Sequence, residues 1–243
     1  MMIKIFDSCA HPTLSGKFNK LNSDFENLQK SMKKNKIYKA FAIGLDSFEN
    51  YEHKMFIKKC NEFKNLVPIA GINPIKNQRT ILNELKLIKK LGYKGVKIHN
   101  RISKFDISDK KLVSFFKLLE EFNLLCLVCC YWHSNINTYP KKDFFYSLLA
   151  AFKNIKKLKI ILMHGGNVRL LEFAEFVRSN KNNFLLDLSM TMIKYEGSSI
   201  DNDIKFLFKK FDERICIGSD HPEYSYNKLR QRFNFFSKNL NNK

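Results

Sequence analysis

The chain has 243 residues, 44% hydrophobic and 27% charged, enough to bury a sizeable core and balanced like an ordinary globular protein. It has no apolar run near the roughly 18 residues that span a bilayer and no signal-peptide pattern at its start, so no membrane association is expected and the cytoplasm is the expected compartment. The formal charge of +20 raises a nucleic-acid role, but most of the 43 basic residues are lysines spread over nearly every candidate helix. Nucleic acid is therefore not the expected partner, and the positive field favours small anionic substrates through steering.

Short apolar runs alternate with amphipathic stretches from end to end. The expected strands cover residues 3–6, 38–43, 66–72, 95–99, 124–130, 159–164, 184–189 and 214–218. Between and after them lie expected helices near 24–35, 49–64, 77–91, 108–122, 141–156, 167–180, 201–211 and 223–240. Ser108 reads as a helix start and Gly92 as a helix stop. Leu112, Phe115, Phe116 and Leu119 share one helix face at i, i+3, i+4 and i+7 spacing. The 23 phenylalanines fall mainly at helical spacing and read as the seam between helices and sheet. Eight βα units without a linker argue for one domain over residues 1–243, a (β/α)8 TIM barrel. No G-x-G-x-x-G turn supports a doubly wound sheet. A homodimer is compatible with this reading.

Such barrels collect their chemistry where strands finish. The first strand runs into Asp7, Cys9 and His11, whose alternate spacing puts them on one face. Later strands end at Lys97, His99 and Arg101, at Cys129, Cys130, Trp132 and His133, at His164-Gly165-Gly166 and at Gly218-Ser219-Asp220-His221. Five of the six histidines thus sit at or just past strand ends; His53, within an expected helix, reads as a solvated surface residue. Cys126 and Cys129 form a C-x-x-C, but in a strand they face opposite ways, which argues against a redox pair. Cys126 and Cys216 read as core.

With Asp7 to Pro12, Ala70 to Pro74 (AGINP), Gly95 to His99 (GVKIH), Met163 to Gly166 and Gly218 to Pro222 (GSDHP) in this order, the sequence resembles the amidohydrolase superfamily, in its amidohydrolase-related, decarboxylase-like branch. The resemblance implies a distorted (β/α)8 barrel with a divalent metal, usually zinc, at its mouth, and hydrolysis of C–N or C–O bonds or loss of a carboxylate. Two family histidines are replaced: the first of the strand-one pair is Cys9, and the one ending strand five falls on Cys129, or on Cys130 with a one-residue shift. The implied ligands are then Cys9, His11, Cys129 and Asp220, with His164 beside them. Thiolates bind zinc well, but two thiolates and a carboxylate would make it a weaker Lewis acid.

The same resemblance makes Asp220 the general base for a metal-activated water; His164, as an imidazolium, is expected to stabilise the oxyanion. Gly165 and Gly166 would let a ligand approach the backbone. Lys97, His99 and Arg101 are expected to hold an anionic substrate, an amide, cyclic amide or lactone, with Trp132 and His133 walling the pocket. His221 points away from Asp220. Three alternatives remain at this stage: a decarboxylase on the same scaffold, a silent barrel that binds a metabolite or partner, and a nuclease-type barrel.

Overall fold

The computed structural model describes residues 3–131, 142–180, 182–211 and 214–238. Strand β1 (Ile5–Ala10) is followed by a two-residue-per-strand hairpin, β2 (Lys17–Phe18) and β3 (Leu21–Asn22), which the sequence reading did not foresee. The chain continues through β4 (Ile37–Ile43), β5 (Leu66–Gly71), β6 (Gly95–Ile98), β7 (Leu125–Cys129), β8 (Ile160–Met163), β9 (Phe184–Asp187) and β10 (Ile215–Cys216). Apart from the hairpin these strands form one parallel eight-stranded sheet in chain order. It closes where the chain leaves β10. Ser8 N–H donates to Ile217 O at 3.0 Å, Asp220 N–H to Cys9 O at 2.9 Å and His11 N–H to His221 O at 2.8 Å. This is the eight-stranded (β/α) barrel expected from the alternating pattern.

Nine α-helices lie among the described residues: α1 (Phe25–Lys34), α2 (His53–Asn61), α3 (Gln78–Leu91), α4 (Lys111–Phe122), α5 (Phe144–Phe152), α6 (Leu170–Ser179), α7 (Thr191–Lys194), α8 (Ile200–Lys210) and α9 (Tyr226–Ser237). Their apolar stripes cover the sheet. Leu112, Phe115, Phe116 and Leu119 of α4 are all buried, each worth about 1.5–3 kcal/mol in transfer terms. Phe145, Phe152, Phe173, Phe176 and Phe184 pack ring against ring between α5, α6 and β9. Gly92 ends α3 in the left-handed region, as its position suggested. Ser108 does not cap α4, which starts three residues later without a side-chain cap.

Alternation within β7 decides which cysteine enters the barrel. Cys126, Val128 and Cys130 belong to the outer layer beneath the helices, whereas Leu127 joins Cys9, Ile43, Ile69, Ile161 and Met163 inside. Cys129 shares the face of Leu127. At the opposite end of the barrel, Arg230 of α9 donates to the carbonyls of Ile3, Asn35 and Lys36, tying the last helix to the starts of β1 and β4.

Candidate metal centre and barrel mouth

Three potential metal ligands meet where β1 and β10 finish. Cys9 Sγ lies 3.2 Å from Asp220 Oδ1 and 3.5 Å from His11 Nε2, and the latter two atoms are 3.6 Å apart. All three residues are buried. Around a tetrahedral zinc at ordinary bond lengths, sulfur, nitrogen and oxygen ligands stand about 3.3–3.6 Å apart, so the triangle has the size the ion needs. His11 Nδ1 lies 3.1 Å from the carbonyl of Ile43. A carbonyl only accepts, so Nδ1 carries a proton and Nε2 is the nitrogen turned to Cys9 and Asp220. An imidazole anchored this way through its other nitrogen is the usual orientation of a metal-binding histidine.

Burial, then the charge of Asp220, pushes the Cys9 thiol well above its usual range. Burial would also raise Asp220, but neighbouring His164 and His11, with Lys97, hold it well below the usual carboxylate range. Asp220 takes a left-handed backbone, φ +58°, a strained conformation for a residue with a Cβ. Its backbone N–H, donating to Cys9 O at 2.9 Å, holds it there. Asp7 is differently employed. Its carboxylate accepts the amides of Cys9 and Ser219, both at 2.9 Å, and the Ser219 hydroxyl at 2.7 Å, and so clamps β1 to the end of β10. Burial raises its pKa to about 6. Gly218 permits this closure: a Cβ there would stand 2.8 Å from Asp7 Oδ1 and 2.9 Å from Cys9 N.

A second cluster forms across the mouth from β6, β7 and β8. Burial alone would raise the Cys129 thiol, yet hydrogen bonds and charge from His99 and His164 bring it well below its usual range. His99 Nδ1 accepts the Ile102 amide at 3.3 Å, which puts the ring proton of the neutral imidazole on Nε2. His164 Nδ1 stands 3.2 Å from Ser189 O, so it too is protonated there. Against the effect of burial, Asp220 and Cys129 raise the His164 pKa. Behind this cluster, fully buried Asp187 accepts the amides of His164 and Ser189 at 3.1 and 3.2 Å and the hydroxyls of Ser8 and Ser189.

Lys97, on β6, interacts electrostatically with members of both clusters. It is 1% exposed, and its Nζ has no hydrogen-bond partner among the described residues. Burial lowers its pKa, but Cys9, Cys129, Asp220 and Asp187 outweigh that and raise it. Arg101 lies at the rim, donating from Nε to Tyr131 O at 3.1 Å with its guanidinium 4.5 Å from the Tyr131 ring centre. Lys194 Nζ meets the same tyrosine, 2.8 Å from its hydroxyl.

The structure thus brings Cys9, His11 and Asp220 together. It puts Cys129 and His164 with His99 rather than within that triangle, Lys97 in the interior and Arg101 at the rim. Trp132 and His133 lie outside the described residues. His221 turns its ring onto Tyr226, stacked at 5.6 Å. Two expectations change. His53 is no free surface residue: it bridges the Tyr51 hydroxyl and Glu84, at 2.9 and 3.0 Å. Gly166 serves packing, since a Cβ would fall 2.1 Å from the Phe173 ring. Asp187, Ser189 and Lys194 were missed; an aspartate closing the apolar run Phe184–Asp187 was the one available signal.

The amidohydrolase family model matches residues 38–233. The chain belongs to the amidohydrolase family. No curated protein matches its sequence. Among solved structures, an uncharacterised TIM-barrel protein from Bordetella bronchiseptica is similar at a TM-score of 0.76 and 13% identity, over 95% of this chain and 90% of that one. A probable 2-pyrone-4,6-dicarboxylic acid hydrolase from Acinetobacter baumannii, with citric acid bound, is similar at 0.69 and 14%, over 98% and 93%. A 2,6-dihydroxybenzoate decarboxylase from Rhizobium is similar at 0.65 and 12%, over 96% and 92%. At these identities the likeness speaks for the fold. No helix among the described residues is long and apolar enough to cross a membrane.

Proposed function

We propose that this amidohydrolase-family barrel is a metal-dependent hydrolase of a small anionic amide, cyclic amide or lactone. One divalent ion, zinc by the chemistry of the donors, would sit on Cys9, His11 and Asp220. The observation that carries this reading is the triangle of buried sulfur, nitrogen and oxygen with edges of 3.2 to 3.6 Å. When bound, the ion supplies Lewis acidity that polarises a carbonyl and makes water easier to deprotonate.

The chain's own residues divide the remaining work. Ile43 O fixes the His11 ring. Asp220, held so acidic, is better suited to binding a cation than to taking a proton. His164, whose pKa Asp220 and Cys129 raise against the effect of burial, is the group placed to give a proton to the departing amine or alkoxide. Lys97 in the interior and Arg101 at the rim suit an anionic substrate. The same protonated His164 could instead protonate the carbon left by a departing carboxylate. That supports decarboxylation as the second reading, in keeping with the decarboxylase among the structural relatives.

The test is elemental analysis of protein purified without added metal, followed by assays for hydrolysis of 2-pyrone-4,6-dicarboxylate and for CO2 release from a dihydroxybenzoate. About one zinc per chain is expected. A folded parent protein that neither contains nor takes up a divalent ion would overturn the metal-dependent reading.

A further inference from the structure

We infer that Lys97 links metal binding to anion binding: its ammonium weakens the hold on a divalent ion while the site is otherwise empty, and a carboxylate paired with it makes metal and anion bind cooperatively. This rests on the reading of Cys9, His11 and Asp220 as metal ligands.

A buried ammonium without an acceptor is costly, and side chains so placed usually have a partner. Lys97 has none among the described residues, while Arg101 and Lys194 at the rim are both engaged with Tyr131. The groups whose charge acts on Lys97 come from several directions: Cys9 on β1, Cys129 on β7, Asp187 on β9 and Asp220 after β10. Its own charge acts in turn on His99 and His164. Val96 and Ile98 belong to the outer layer beneath the helices, so Lys97 between them on β6 turns into the barrel interior that Cys9 also enters; the ammonium shares that low-dielectric interior with the triangle that would hold the ion. Two cations in such a chamber repel. A carboxylate on Nζ removes that repulsion and supplies the missing acceptor. Each ligand must then strengthen the other by the same factor. The ligand class that follows is a small monocarboxylate, or the carboxylate end of a larger substrate, entering beside the metal.

The experiment measures zinc affinity of the metal-stripped full chain by chelator competition, with and without benzoate, in parent, Lys97→Met and Lys97→Arg proteins whose folding is checked by circular dichroism. The parent should bind zinc at least about tenfold more tightly with benzoate present. Lys97→Met should bind zinc at least about tenfold more tightly than the parent without benzoate, and benzoate should change it little. Lys97→Arg, which keeps the charge, should behave like the parent. If Lys97→Met does not fold, the benzoate dependence of the parent and of Lys97→Arg decides the matter. Zinc binding in the parent that ignores benzoate, or a benzoate effect that survives in Lys97→Met, would overturn the linkage while leaving the metal site intact. A parent that takes no zinc would instead bring down the metal reading and this inference together.

Discussion

Two cysteines face the barrel mouth, and their surroundings give them opposite chemistry. Cys9 is buried beside a carboxylate, which pushes its thiol up and leaves it to donate to Asp220. Cys129 is equally buried but lies between two imidazoles, which bring it well below the usual thiol range. The residue type is the same and burial is nearly the same, 0% and 1% exposed; the sign of the neighbouring charge decides. Cys9 therefore becomes a thiolate readily only when a cation arrives, whereas Cys129 has its counter-charge built in. The same side chain thus has different chemistry at the two strand ends.

The largest effect expected from this contrast is on zinc. Cys9→Ala should weaken zinc binding by more than about a hundredfold, because a third of the donor set is lost. Cys129→Ala should change it by less than about tenfold, since that sulfur lies outside the triangle and acts through charge. Chelator competition reads both. Equal losses would mean that the two clusters are one site and that the contrast is false. A second effect concerns the joint between the halves, because Asp187 accepts from Ser8 on β1 as well as from His164 and Ser189. Asp187→Asn should cost about 3 kcal/mol of stability through buried donors left unpaired. A change in urea midpoint equivalent to less than about 1 kcal/mol would show the halves to be independent.

The fold was legible because its signal repeats: eight short apolar runs, each followed by a stripe of helical period, leave few other architectures. The triangle was half legible. Asp7 and Cys9 alternate within β1 and His11 follows its end, but alternation cannot tell which carboxylate is spent elsewhere. Asp7 goes to Ser219 because β10 closes against β1, and that contact joins residues 212 positions apart. The pairing of Cys129 with His99 and His164 likewise depends on how β6, β7 and β8 lie side by side. His53 was misread because its helix looked amphipathic and exposed, while its partner Glu84 comes from the next helix.

A smaller effect would sharpen the comparison at Cys129 itself. Its folded pKa is depressed, so ionisation stabilises the fold above the ordinary thiol value of 9.0 and that contribution is lost as pH falls through the folded value. The ultraviolet absorbance of one thiolate should persist in the metal-free protein at neutral pH and vanish in Cys129→Ala. In His164→Asn its midpoint should rise by more than about one pH unit. An unchanged midpoint would assign the depression to His99 alone.

The smallest effect comes from a histidine–anion pair outside the mouth, which sets the scale for the others. Glu84 is partly buried and receives His53 Nε2 at 3.0 Å and Lys76 Nζ at 3.1 Å. Burial would raise its pKa, but the His53 hydrogen bond and the Lys76 charge more than offset this and lower it. The sign is that of a depressed carboxylate: the pair stabilises the fold above the ordinary value of 4.5 and loses that contribution as pH falls through the folded value. Glu84→Gln should therefore cost about 1 kcal/mol near neutral pH, with the deficit shrinking in acid. If the deficit instead matched that of Asp187→Asn, buried polar pairs would be equally strong throughout the barrel. The cooperativity assigned to the mouth would then need no special arrangement of charge to explain it.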